Sequence, residues 1–214
     1  MSAVNSAYVD TNILVSYALG PTVDQKFCLA ENFFKEVLAG KYLVVISNFT
    51  LQEAIHAFRN IAIDQLYKEL GRNYTRGELW SLVKSPSFRQ EANDRSMKAF
   101  QTIIDIITSD STHFRIGDNN TVYPERLFYE GLKLLTGRMG DIRVYPHSCR
   151  KCNSNIVCDN CKFDSEIAYK SINAPDLTHI LISGELGCKY FFTMEKDFAN
   201  VNPSLVKSQI VVLS

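Results

Sequence analysis

Three short apolar runs, each closed by a polar residue, limit what this chain can fold into. Ala7-Tyr8-Val9 ends at Asp10, Tyr42–Ile46 at Ser47, and Tyr190–Phe192 at Thr193. A run without polar alternation suits a strand covered on both faces, and such strands belong to parallel sheets. Between the runs the apolar residues change to a 3.6-residue period, which is the signature of covering helices. Strand and helix patterns that alternate in this way predict a doubly wound α/β sheet.

Residues 7–10 read as the first strand. Thr11 or Asn12 caps a helix toward Leu19, and Gly20-Pro21 breaks it. A second helix over about 24–39 carries Phe27, Leu29, Phe33, Phe34, Val37 and Leu38, with Gly40 as its stop. After the strand Tyr42–Ile46, Ser47 or Asn48 caps a helix of about 49–70. Thr75 caps a short helix through Val83, and Ser85-Pro86 starts a long amphipathic one to about Ile107. His113–Ile116 is a strand candidate and Pro124–Leu135 a further helix. Residues 136–164 lose apolar periodicity, and glycine, proline, asparagine and cysteine rise there. The α/β pattern then resumes with a helix at about 175–186, a strand at 190–193 and a terminal strand Gln209–Leu213.

The 214 residues suit one domain with an insertion or two small domains, and 46% apolar content supplies a core. Net charge is zero, so a nucleic-acid partner would have to be held by a local patch. No stretch approaches the roughly 18 apolar residues of a membrane span. The N-terminus lacks a basic region, and Asp10 interrupts the early apolar run, so no secretory signal is expected. Six cysteines without such a signal point to a reducing cytoplasm, with thiols used for metal.

The acidic residues carry the chemistry. Asp10 closes the first strand, and Glu53 lies in SNFTLQEAIHAF after the second. Asp176 opens PDLTHILISGEL, and Glu195 and Asp197 follow KYFFT. Carboxylates at the ends of core elements are costly to desolvate without a partner. Several of them at one sheet edge repel, and a hard divalent cation is the usual remedy. In doubly wound sheets, sites form beyond the C-terminal strand ends, where Asp10, Glu195 and Asp197 fall.

YVDTNILV, SNFTLQEAIHAF and APDLTHILISGELGCKYFFTMEKDF together resemble the PIN-domain ribonucleases, over roughly residues 7–70 and 172–214. The resemblance implies a PIN-like fold with a central parallel sheet flanked by helices. It also implies a cytoplasmic, metal-dependent endoribonuclease acting as a toxin or in RNA processing. Asp10, Glu53 and Asp176 match the family's metal-binding acids. Glu195 stands where the family usually has an Asp, and Asp197 matches the second acid of that segment, so both are candidates for the fourth. One or two Mg²⁺ or Mn²⁺ ions would be held by Asp10, Glu53, Asp176 and Asp197. Thr11, Asn12, Ser47 and Thr193 would orient those carboxylates or a metal-bound water. RNA is the implied substrate, and an antitoxin, another protein or a second copy of the chain is the implied partner.

Each residue also has a plainer reading. Asp10 could be a helix N-cap, Glu53 a solvated helix charge, and Asp176 a favourable charge at a helix N-terminus. Glu195 and Asp197 would be surface loop charges. His56 reads as a core or surface histidine. His179, one turn from Asp176, reads as structural.

Cys149-x2-Cys152-x5-Cys158-x2-Cys161 forms two knuckle-like pairs within the interval 138–164. Four thiolates complete a tetrahedral shell at ~2.3 Å, which favours structural Zn²⁺ with no open position. An iron–sulfur cluster is the alternative metal. Arg138, Arg143, Arg150, Lys151 and Lys162 make this interval basic. They either contact RNA phosphates or offset the charge of the thiolates. Cys28 and Cys188 are expected in the core. The alternative function is a non-catalytic PIN-like scaffold that binds RNA or protein through the zinc loop. A DNA-directed nuclease of similar fold is a third.

Overall fold

The computed structural model describes residues 5–71, 76–117, 174–201 and 206–214. The expected helix 124–135 and the cysteine interval, with Cys149, Cys152, Cys158 and Cys161, lie outside the described residues. In chain order the elements are β1 (Asn5–Val9), α1 (Thr11–Leu19), α2 (Phe27–Leu38), β2 (Tyr42–Ser47), α3 (Asn48–Glu69) and α4 (Arg76–Lys84). They continue with α5 (Pro86–Ser109), β3 (Phe114–Gly117), α6 (Ala174–Glu185), β4 (Tyr190–Thr193), a 3₁₀ turn (Lys196–Asn200) and β5 (Gln209–Val212).

The five strands form one sheet in the order β3-β2-β1-β4-β5, and every neighbouring pair is parallel. Two-residue alternation explains how each strand serves two layers. Ala7, Val9, Val44, Ile46, Phe114 and Phe192 pack with α1, α2, α3 and α5 through Ile13, Phe33, Phe34, Phe58 and Ile103. Tyr8, Val45 and Phe191 point to the other face and meet Ile180 and Ile182 of α6, with Cys188, Phe198 and Val201. Burying each large apolar side chain contributes about 1.5–3 kcal/mol, so this two-sided coverage explains why the runs have no polar alternation. A satellite cluster of Leu66, Phe88 and Ala92 joins α3 to α5 at their far ends.

Local chemistry sets the element ends. Ser47 accepts from the Thr50 N–H at 3.0 Å and so caps α3. Gly40, at φ +77°, ends α2: its N–H bonds the Val37 carbonyl, and the Lys41 N–H bonds that of Glu36. This double bond pattern is a Schellman stop, which favours glycine. The helix starts later than its expected 24 because Asp24 Oδ1 accepts from the Lys26 N–H at 2.7 Å, folding 24–26 into a turn. Cys28 is exposed, against expectation, while Cys188 is buried. The core side of α2 is set by Ala30, Phe33, Phe34 and Val37, and Cys28 falls on the opposite side of the helix.

Among the described residues no helix is long and apolar enough to cross a membrane.

Candidate active site

The strand order reverses beside β1, which pairs with β2 on one side and with β4 on the other. This is the switch point of the sheet, where crevices open beyond the strand ends. Asp10 leaves β1 here, with its N–H still bonded to the Phe192 carbonyl of β4 at 2.9 Å. Its backbone occupies the N-cap position of α1, yet its side chain makes no capping bond. Asp10 Oδ2 instead accepts from the Thr193 hydroxyl at 2.5 Å and from Asn12 Nδ2 at 2.7 Å. Asn12 in turn receives the Met194 N–H on Oδ1 at 3.1 Å, and the Glu195 N–H bonds Thr193 Oγ1 at 3.0 Å. The end of β4 is thus tied to the start of α1 through Asp10 Oδ2 and the Asn12 amide.

Glu53 reaches the same place from α3. Its Oε2 accepts from the Thr11 hydroxyl at 2.8 Å and lies 2.5 Å from His179 Nε2. His179 Nε2 is also 3.9 Å from Asp10 Oδ1. Asp10, Glu53 and His179 each bring one ligand-type atom within 4.8 Å of the others. His179 comes from α6 and is only 1% exposed, so its ring needs partners for both nitrogens. Nδ1 finds the Tyr8 hydroxyl at 2.8 Å. Tyr8 also contacts Ser47 Oγ at 2.7 Å and Thr50 Oγ1 at 2.9 Å, closing a buried polar network between β1, β2, α3 and α6.

The electrostatics follow from burial and pairing. Desolvation pushes the Asp10 carboxyl above the ordinary range, and the neighbouring Glu53 charge adds to this; His179 and the Thr193 hydrogen bond offset part of it. Burial also acts to raise Glu53. There it is outweighed by the hydrogen bond and charge interaction with His179 and by the Thr11 hydroxyl, so the net shift is downward. Burial raises Tyr8 as well, which keeps its hydroxyl protonated.

Of the expected acids, Asp10 and Glu53 come together. Asp176 is half-buried in the first turn of α6, three residues before His179, and is not one of the three clustered groups. Glu195 is exposed: Thr193 and Met194 turn inward as β4 ends, and Glu195 precedes the 3₁₀ turn with its side chain outside. Asp197 lies in that turn, and its side chain is outside the described residues. His56 is exposed on α3. His179, expected to be structural, bonds Glu53 and lies 3.9 Å from Asp10 Oδ1. Its position among Leu177, Ile180 and Ile182 was the available signal, since a histidine on an apolar helix face must find polar partners inside.

The donor set suits a hard cation. Even a protonated His179 would neutralise only one of two carboxylates, leaving negative charge in a buried place. Both imidazole nitrogens are engaged, by Tyr8 and by Glu53, so the donors left for an ion are carboxylate oxygens. Oxygen donors of this kind fit Mg²⁺ or Mn²⁺.

No known family profile matches the sequence, and no curated protein matches it. Among solved structures, the chain is similar to the crystal structure of VapBC2 from Rickettsia felis bound to a DNA fragment from their promoter. The TM-score is 0.43 and the identity 13%, over 98% of this chain and 99% of that one. Similarity at that level assigns neither a family nor a function to this chain.

Proposed function

We propose that the chain is a metal-dependent nuclease that hydrolyses phosphodiester bonds of RNA at the Asp10–Glu53 cluster. The observation that carries this reading is the convergence of these two carboxylates at the switch point of the sheet. There they lie close together, with Asp10 buried and Glu53 half-buried, unlike plain surface charge. The side chains of Thr193 and Asn12 bond Asp10 at Oδ2, and those of Thr11 and His179 bond Glu53 at Oε2. Asp10 Oδ1 and Glu53 Oε1 would hold an Mg²⁺ or Mn²⁺ ion. When bound, such an ion supplies an acidified water and charge stabilisation for the scissile phosphate. The protein's own part is orientation: Thr193 and Asn12 fix the Asp10 carboxylate, and Thr11 fixes that of Glu53, before any substrate arrives. Asp176 and Asp197 are proposed as further acids of the site, able to orient the attacking water. RNA as substrate rests on the motif resemblance.

The cysteine quartet is proposed to hold a structural Zn²⁺ within 138–164, as the paired spacing suggests. A second reading, a non-catalytic RNA- or protein-binding scaffold, is favoured by the outward position of Glu195. Incubation of RNA and single-stranded DNA panels with Mn²⁺, Mg²⁺ or EDTA separates the two. Metal-dependent RNA cutting supports the nuclease, and binding without cutting supports the scaffold.

A further inference from the structure

The contacts of His179 go beyond neutralising a nearby acid. Glu53 is a long side chain on a helix and about 30% exposed, so on its own it would sample several rotamers. Here one oxygen, Oε2, is gripped from two sides by the Thr11 hydroxyl and His179 Nε2. A carboxylate only accepts, so the hydrogen of the 2.5 Å contact sits on His179 Nε2. The opposite nitrogen, Nδ1, rests against the Tyr8 hydroxyl, whose other neighbours, Ser47 Oγ and Thr50 Oγ1, let it serve as donor or acceptor. The ring itself meets Phe49 edge-on, with centroids 4.9 Å apart, and Tyr8 at a tilt, with centroids 5.7 Å apart. Ring orientation is therefore set by groups outside the cluster, and the proton on Nε2 by the Glu53 carboxylate it faces.

We propose that His179 is a positioning residue for Glu53, and that Tyr8, from the strand core, holds the imidazole so that Nε2–H points at Oε2 and leaves Oε1 for a cation. This inference rests on the Asp10–Glu53 reading above and adds to it a residue chain, Tyr8–His179–Glu53, that runs from the sheet interior to the crevice. Groups that hold a metal-binding side chain in this way typically alter cation affinity by about 10–100-fold when removed.

Calorimetric Mn²⁺ titration of wild type, Asp10→Asn, His179→Ala, His179→Gln and Tyr8→Phe tests it, with thermal melts on each protein. Tyr8→Phe keeps the ring packing and removes only the hydroxyl, so it guards against a loss that merely reflects misfolding. The expected result is that His179→Ala weakens Mn²⁺ binding about tenfold or more. His179→Gln, whose amide still donates, should recover part of that loss, and Tyr8→Phe should weaken binding while melting cooperatively. If wild type binds Mn²⁺, Asp10→Asn does not, and the His179 and Tyr8 variants bind like wild type, the positioning role is overturned and the site reading survives. If wild type binds no Mn²⁺, both fall together.

Discussion

Asp10 and Thr193 meet across the switch point of the sheet, with the Thr193 hydroxyl 2.5 Å from Asp10 Oδ2, although they lie 183 residues apart in sequence. The contact joins the end of β1 to the end of β4, the two strands on either side of the switch point. It also holds a carboxylate where burial opposes its charge. A site built this way stores an instability that a cation would relieve.

Asp10→Asn is accordingly expected to stabilise the protein without divalent cation. The neutral amide removes the desolvation penalty, and Asn12 and Thr193 remain as partners. A gain of about 1 kcal/mol, or roughly 2–4 °C in Tm, is in the range seen when functional charge is removed. Because the folded pKa of Asp10 is raised, wild type binds this proton more readily folded than unfolded. Its contribution is fully favourable below the ordinary carboxylate value and is lost as pH rises through the raised one. The variant's advantage should therefore grow from acid toward neutral pH. Melts between pH 4 and 8 in EDTA measure it, and an advantage independent of pH would contradict the assignment.

Ser16 sits fully buried in α1, and among the described residues its hydroxyl has no hydrogen-bond partner. An unsatisfied buried group costs about 1–3 kcal/mol. Ser16→Ala should leave stability unchanged or raise it, as read by urea denaturation. A clear loss would reveal a partner for that hydroxyl.

Two cysteines should react very differently. Burial pushes the Cys188 thiol up to about 11, whereas Cys28 is exposed on α2. Iodoacetamide at pH 8 should label Cys28 in the native protein and spare Cys188 until it unfolds, as peptide mass mapping would show. Since the folded pKa of Cys188 is raised, its contribution to stability is intact below about pH 9 and is lost as pH approaches 11.

The cysteine quartet makes a separate prediction. Purified protein should carry about one Zn²⁺ per chain by elemental analysis, and Cys149→Ser should lose it. Iron in place of zinc, with visible absorbance, would point to a cluster instead.

Much of the fold was legible because its strands are covered on both faces. Tyr42–Ile46 and Tyr190–Thr193 stand out as unbroken β runs, and the 3.6-residue period of Leu51, Ala54, Phe58 and Ala62 marks α3. Asp10 and Glu53 were legible for a related reason, as acids placed just after such runs. Cys28 departs from the core position expected of it because apolar neighbours in sequence do not set a helix's phase; Phe33, Phe34 and Val37 do. The role of His179 depends on a contact with Glu53 that spans 126 residues, which no local pattern encodes. Glu195 could be placed after a strand from sequence, but whether it turns inward depends on how β4 ends beside α1.

The most direct test compares RNA cleavage by wild type, Asp10→Asn and Glu53→Gln in Mn²⁺, Mg²⁺ and EDTA, with melts confirming that each protein is folded. The account predicts cutting by wild type with either metal and none in EDTA. Each variant should be at least about tenfold slower. Cutting that persists in EDTA, cutting by both variants at the wild-type rate, or no cutting by folded wild type on any RNA, would contradict it.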